Sequence, residues 1–197
     1  VVHRHEHPAL ADRGRDVGQR PHGATGRSDG DHLATADATR GGVGRIDLDL
    51  EEGDQFVAWA PMFHMVSIEH SLHVLGLGGK VFVVDGADID RIVELVATEP
   101  QWWLVLIPGM IEPLVAALRE RGVRPRGIKL VGALADLVPS SLVADASRLL
   151  QAPYWNTFGS TETGMLPAAG TRFAIGEEPA DLSKAHNSLY LWRLVDE

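Results

Sequence analysis

Residues 153–164 read PYWNTFGSTETG, a strand-like run that passes at Gly159 into a cluster of small polar groups around one carboxylate. Each type has a use at a phosphate-and-metal site. Gly159 has no side chain, so backbone can approach a phosphate closely. Ser160 and Thr161 offer short hydroxyl donors. Glu162 is a hard oxygen ligand of the kind Mg²⁺ takes beside phosphate oxygens and water. Asn156 has a donor and an acceptor that suit the edge of an adenine, and Phe158 could stack on a purine. The same letters also describe a polar strand-to-helix turn, with Ser160 or Thr161 as N-cap and Glu162 in the first helical turn. The segment alone leaves both readings open.

Other groups have less chemistry to offer. His3, His5 and His7 in HRHEH fall on one face if extended, which would suit zinc or nickel, but nothing nearby would orient the rings. Glu69, His70 and His73 lack the HExxH spacing, so both histidines read as helix-surface residues. Trp102 and Trp103 read as sheet core.

The elements that would position these groups are visible from residue 46 onward. FVAWA (56–60), KVFVV (80–84), WWLVLI (102–107) and IKLVG (128–132) are short apolar runs of the kind found in strands buried on both faces. Helical patterns separate them. Ile68, Leu72 and Leu75 share one face. Asp88 is an N-cap for a helix with Ile89, Ile92, Val93 and Val96, stopped by Pro100. Leu114, Ala117 and Leu118 lie on a helix ended by Gly122, and Leu142, Ala146 and Leu149 are in phase on a fourth. This alternation predicts an α/β fold, a layered and mostly parallel sheet with flanking helices.

Three stretches follow from the composition. Residues 1–45, rich in Arg, Gly, His and Asp, show no period and are expected to be irregular. Residues 46–170 carry the α/β core, and 171–197 a polar connector with the start of a further subdomain, where LYLWRLVD alternates like a strand. The uncapped stop at Glu197 leads to the expectation of a truncated chain. A net charge of −9 disfavours nucleic acid, and the absence of cysteine excludes thiol chemistry and disulfides. No run reaches the roughly 18 apolar residues of a membrane span, so a cytoplasmic protein is expected. Oligomeric state stays open.

YWNTFGSTETG resembles the signature of the adenylate-forming superfamily: acyl- and aryl-CoA synthetases, peptide-synthetase adenylation domains and beetle luciferases. APMFHMVSIEHSLHVLGLGGKVFVV resembles that family's Pro-x-Phe-His segment, and IKLVGALADLVPSSL its strand-to-Gly-Ala segment. The resemblance covers roughly residues 45–197 and implies an ATP-dependent acid–CoA ligase, with ATP, Mg²⁺ and coenzyme A as cofactors and partners beside a carboxylic acid. Glu162 would hold Mg²⁺, and Thr161 would contact phosphate and the reacting carboxylate. Asn156, Thr157 and Phe158 would hold adenine, with Gly159 and Ser160 at the phosphates and Gly132 and Ala133 as the opposite wall. His64 would border the acyl pocket. Three parts of the family pattern are missing: the Gly/Ser/Thr-rich loop with its lysine, the Asp that holds ribose, and the C-terminal domain with the catalytic lysine. Only Lys80, Lys129 and Lys184 occur. A non-catalytic nucleotide-binding remnant and a peptide-synthetase-type domain are the alternatives.

Overall fold

A computed structural model of the chain describes residues 49–160 and 168–186. Six strands form one sheet in the order β2-β1-β3-β4-β5-β6. These are β1 (Gln55–Ala58), β2 (Lys80–Val83), β3 (Gln101–Leu104), β4 (Ile128–Val131), β5 (Tyr154–Phe158) and β6 (Ala168–Phe173). The first five run parallel, and β6 pairs antiparallel with β5. Helices α1 (Met65–Gly76), α2 (Ile89–Thr98), α3 (Ile111–Arg121) and α4 (Ser140–Leu150) fill the crossovers. Helix α1 packs on β1 and β2, whereas α2, α3 and α4 stand side by side. Right-handed crossovers account for this division. The β1–β2 link runs one way across the sheet and the β2–β3 link runs back, so their helices lie on opposite faces.

Local chemistry sets the ends of these elements. Asp88 Oδ1 accepts the Arg91 N–H at 3.0 Å and starts α2. Gly122 ends α3 in the left-handed region, at φ 58°, where a side chain would be strained. The acidic segment at the start of the described chain is fastened by Lys129. Its ammonium donates to Glu51 at 2.5 Å and Asp54 at 2.9 Å. Burial lowers the Lys129 pKa, but these two bonds outweigh it and hold the group above its ordinary value.

The core is aromatic at its centre. Phe56, Trp102, Trp103, Tyr154 and Trp155 are all fully buried, each contributing about 2–3 kcal/mol or more by burial. Trp103 meets Trp155 edge-on, with ring centroids 4.8 Å apart. Trp102 and Trp103 are thus core residues, as their composition predicts.

The sequence reading fails at α1. Ile68, Leu72 and Leu75, its expected apolar face, are 45%, 63% and 55% exposed. The inward residues are Ser67, His70, Ser71 and Val74, so His70 is not on the surface as expected, and His73 is half-buried. The cause lies in the sheet beneath. Phe56, Trp102 and Trp103 fill the ground under α1, and small or flat side chains are the ones that fit above them.

Two smaller differences concern α4 and β6. Helix α4 buries Val143, Ala144, Ala146, Ser147 and Leu150, leaving Leu142 and Leu149 half-buried on the flanks. Strand β6 crosses residue 170, so residues 171–173, read as connector, belong to the sheet. The connector proper begins after Phe173 and folds back along α4. There the Gly176 N–H donates to Ser147 Oγ at 2.8 Å, and Ser140 Oγ donates to the Pro179 carbonyl at 2.9 Å. The strand expected at LYLWRLVD and the leader, residues 1–45, lie outside the described residues.

Candidate active site

Open α/β sheets bind ligands beyond the carboxyl ends of their strands, where the winding direction reverses. Here the reversal lies between β1 and β3. A cavity of about 350 Å³ opens at that place. Trp59, Ala60 and Pro61 line it after β1, and His64, Met65 and Val66 line it from the start of α1. Trp103, Val105 and Ile107 form the β3 side. Ala133, Leu134, Thr157 and Gly159 close it from β4 and β5.

The walls are held by hydrogen bonds that engage both indole N–H groups. Trp59 Nε1 donates to the Val105 carbonyl at 2.9 Å, and Trp103 Nε1 to the Gly132 carbonyl at 2.6 Å. Both indoles therefore offer the cavity carbon faces. Ser67 Oγ donates to the Ala60 carbonyl at 2.7 Å, which fixes α1 against the end of β1. His64 caps α1 in an extended conformation, with Nδ1 accepting the Val66 N–H at 3.2 Å. That bond leaves the neutral ring's proton on Nε2. His64 is therefore both a helix-start residue and a cavity residue.

Behind the β4 wall, Gly132 has φ 88°, and a Cβ there would stand 2.5 Å from the Tyr154 ring. Only glycine fits. Tyr154 Oη donates to the Leu134 carbonyl at 3.1 Å, and burial pushes its pKa well above the ordinary value. The Thr157 N–H donates to the Ala133 carbonyl at 2.6 Å and joins the two walls.

The residues expected from the sequence are distributed as follows. Ala133, Thr157, Gly159 and His64 meet at the cavity, and Gly132 shapes its wall from behind. Asn156 is fully buried, with Oδ1 accepting the Ala135 N–H at 3.1 Å and Nδ2 donating to the Leu182 carbonyl at 2.9 Å. Its amide holds two loops in place. Phe158 is 47% exposed and does not line the cavity, and Ser160 is half-buried just beyond it. Thr161 and Glu162 lie outside the described residues. Among the described residues no three His, Asp or Glu side chains gather as metal ligands. Trp59, Val105 and Ile107 were not singled out from the sequence. Their place just past strand ends was the signal available.

A family model described as AMP-binding enzyme matches residues 23–185. The chain belongs to this family. The match reaches back into residues 23–45, further than the motifs alone extend. Among solved structures, this AMP-binding chain is similar to o-succinylbenzoate-CoA synthetase from Bacillus subtilis, in complex with ATP and magnesium ion. That likeness has 15% identity and a TM-score of 0.55, over 68% of this chain and 28% of that one. The amide bond synthetase McbA from Marinactinospora thermotolerans gives 19% and 0.56, over 69% and 27%. The nonribosomal peptide synthetase FmoA3 gives 21% and 0.63, over 78% and 17%. At these identities the likeness is one of fold. The chain spans less than a third of the length of each of these three. No curated protein sequence matches it. Among the described residues no helix is long and apolar enough to cross a membrane.

Proposed function

We propose that this chain is the acyl- and nucleotide-holding part of an ATP-dependent acid–CoA ligase. The observation that carries the reading is the apolar cavity at the sheet's reversal point, with His64 on one wall and the Ala133–Thr157 pair on another. In the proposed reaction a carboxylate oxygen attacks the α-phosphorus of ATP. The bond to the β-phosphate breaks and pyrophosphate leaves with its electron pair. The coenzyme A thiol, losing its proton, then displaces AMP from the acyl-adenylate. Two anions must meet in the first step, so the protein's contribution is orientation and charge neutralisation.

The roles follow the wall positions. The Ala133–Thr157 hydrogen bond ties the ends of β4 and β5 into one wall, against which adenine would lie, with Gly132, Asn156 and Phe158 shaping its surroundings. Gly159, Ser160 and Thr161 would serve the phosphates, and Thr161 also the reacting carboxylate. Glu162 would hold Mg²⁺, which supplies charge neutralisation when bound. His64, with its proton on Nε2, would border the acid's side of the cavity. Among the described lining residues only His64 has an acidic or basic side chain, so this wall suits an acid with an apolar or aryl body better than an amino acid. That favours a ligase over a peptide-synthetase-type domain.

A second reading, a nucleotide-binding remnant without chemistry, is favoured by the lysines. Lys80 pairs with Glu99, Lys129 with Glu51 and Asp54, and Lys184 with Asp136. None lines the cavity. The test is a panel of aryl and short-chain acids with ATP and Mg²⁺, read by pyrophosphate release and by thioester formation once CoA is added. Thioester supports the ligase. Amide formation with an added amine but no thioester moves the reading to an amide synthetase. ATP or AMP binding without pyrophosphate leaves the remnant.

A further inference from the structure

We propose that Lys184 is a positioning residue for the β4 wall of the cavity, holding the loop after β4 in a conformation that the loop would not keep by itself. The proposal rests on the reading of that cavity as an acyl-nucleotide site. The loop, residues 132–139, supplies Ala133 and Leu134 to the cavity lining. Its inner half is well fastened. The Gly132 N–H donates to the Leu104 carbonyl at 3.0 Å, the Ala133 carbonyl accepts the Thr157 N–H, and the Ala135 N–H donates to Asn156 Oδ1. The outer half, residues 136–138, has less. Among the described residues it has one backbone bond, from the Val138 N–H to the Ala135 carbonyl at 3.3 Å, and one side chain that bonds it from elsewhere, Lys184.

That outer half is also strained. Leu137 sits at φ 63°, in the left-handed region that a bulky residue rarely adopts. Its side chain is 95% exposed, so no packing offsets the strain. A conformation of this kind persists where neighbouring contacts impose it. The neighbour here is Asp136, whose carboxylate accepts a hydrogen bond from the Lys184 ammonium at 2.6 Å.

Lys184 is placed to deliver that contact. Asn156 Nδ2 donates to the Leu182 carbonyl at 2.9 Å, and Thr171 Oγ1 donates to the Ser183 carbonyl at 3.1 Å and accepts the Ala185 N–H at 2.9 Å. Backbone bonds thus bracket residue 184, and its side chain leaves from a fixed point. That side chain is 13% exposed, against 66% for Lys80, whose contact with Glu99 is 3.9 Å. A long, exposed pair such as Lys80–Glu99 contributes little, whereas a shielded ammonium on a fixed backbone is screened less. Asn156 completes the arrangement, because one end of its amide holds the loop at Ala135 and the other holds Leu182. Asp136, Lys184, Leu182, Asn156 and Ala135 therefore form a closed ring of contacts. Opening it at Lys184 lets Leu137 relax and moves Ala133 and Leu134 with it.

The experiment is calorimetric titration of the full chain with AMP, beside Lys184→Met, Lys184→Arg, Asp136→Asn and the double variant of Lys184→Met with Asp136→Asn. The expected result is AMP binding weakened about fivefold or more in Lys184→Met and in Asp136→Asn, with no further loss in the double variant. Lys184→Arg should bind nearly as the parent does, and all urea midpoints should stay close to the parent's. Leu137→Gly adopts the left-handed conformation freely, so in that background Lys184→Met should weaken binding by less than about twofold. Should Lys184→Met fail to fold, Asp136→Asn, on an exposed loop, carries the same comparison. A parent that binds AMP and a Lys184→Met variant that binds it equally would overturn the proposal and leave the nucleotide reading standing. An effect of Lys184→Met that is the same with Leu137→Gly as without it would overturn the proposal too, since the lysine would then not be holding the strain. A parent that binds no AMP would overturn the nucleotide reading and this proposal with it.

Discussion

Asn156 and Ala135 are joined by a buried hydrogen bond of 3.1 Å from the Ala135 N–H to the side-chain carbonyl, which pins the loop after β4 to strand β5. The other end of the same amide binds the Leu182 carbonyl. Asn156→Ala strips the partner from one N–H and one C=O at once. The expected loss is about 2–4 kcal/mol of unfolding free energy, since buried groups left unpaired cost about 1–3 kcal/mol each. Urea titration measures it. Nucleotide affinity should fall with it, because the loop carries the Ala133 wall.

Acid should loosen the α1 side of the sheet through His70. The ring is fully buried among Phe56, Trp102 and Trp103, and neither nitrogen finds a hydrogen-bond partner. Burial, helped by the nearby His73, lowers its pKa from 6.5 to about 3. The unfolded chain thus binds a proton below pH 6.5 that the folded chain refuses until about pH 3. Stability is unaffected above pH 6.5 and falls as pH drops through that window, by roughly 3–5 kcal/mol at its foot. Carboxylates titrate in the same range, so the readout is a difference. His70→Leu should show a shallower decline of the denaturation midpoint between pH 6.5 and 4 than the parent. An identical slope in both proteins would refute the assignment.

Gly132→Ala should damage the wall between β4 and β5. The new methyl meets the Tyr154 ring at 2.5 Å, and φ 88° is strained for alanine. A cost of about 2–4 kcal/mol is expected from overpacking and backbone strain together. The check is thermal unfolding beside Ala133→Gly, which removes a methyl from the cavity side and should cost about 0.4–1 kcal/mol through the freer unfolded backbone.

Glu162→Ala tests the proposed chemistry directly. If the carboxylate anchors the divalent ion, the variant binds ATP more weakly in Mg²⁺ and equally in EDTA. Calorimetry in both conditions separates this from a capping role, which would alter stability in both and metal dependence in neither. The chain itself is expected to release pyrophosphate slowly or not at all, since no lysine lines the cavity.

Much of the fold was legible because parallel strands buried on both faces are written as unbroken apolar runs, such as WWLVLI, and capping residues such as Asp88 and Gly122 mark helix ends locally. The orientation of α1 was not. MVSIEHSLHVLG is apolar around most of its circumference, and periodicity finds a stripe without saying which way it points. The deciding fact, three large rings under the helix, sits in other segments. AAGTRF lacks strand character, and its conformation comes from pairing with β5. At the site, residue types located the carboxyl end of β5. They could not show that Asn156 serves neighbouring backbone, because the Leu182 carbonyl arrives from 26 residues away.

Trp103 is where several of these features meet. Its ring lies 4.8 Å from both His70 and Trp155, and the same side chain bounds the cavity. An imidazolium beside an indole quenches its emission, and so does an aromatic guest laid against it. Trp103 is one of five tryptophans, so the difference in emission between the parent and Trp103→Phe can report, without any dye, on the filling of the chamber beside it.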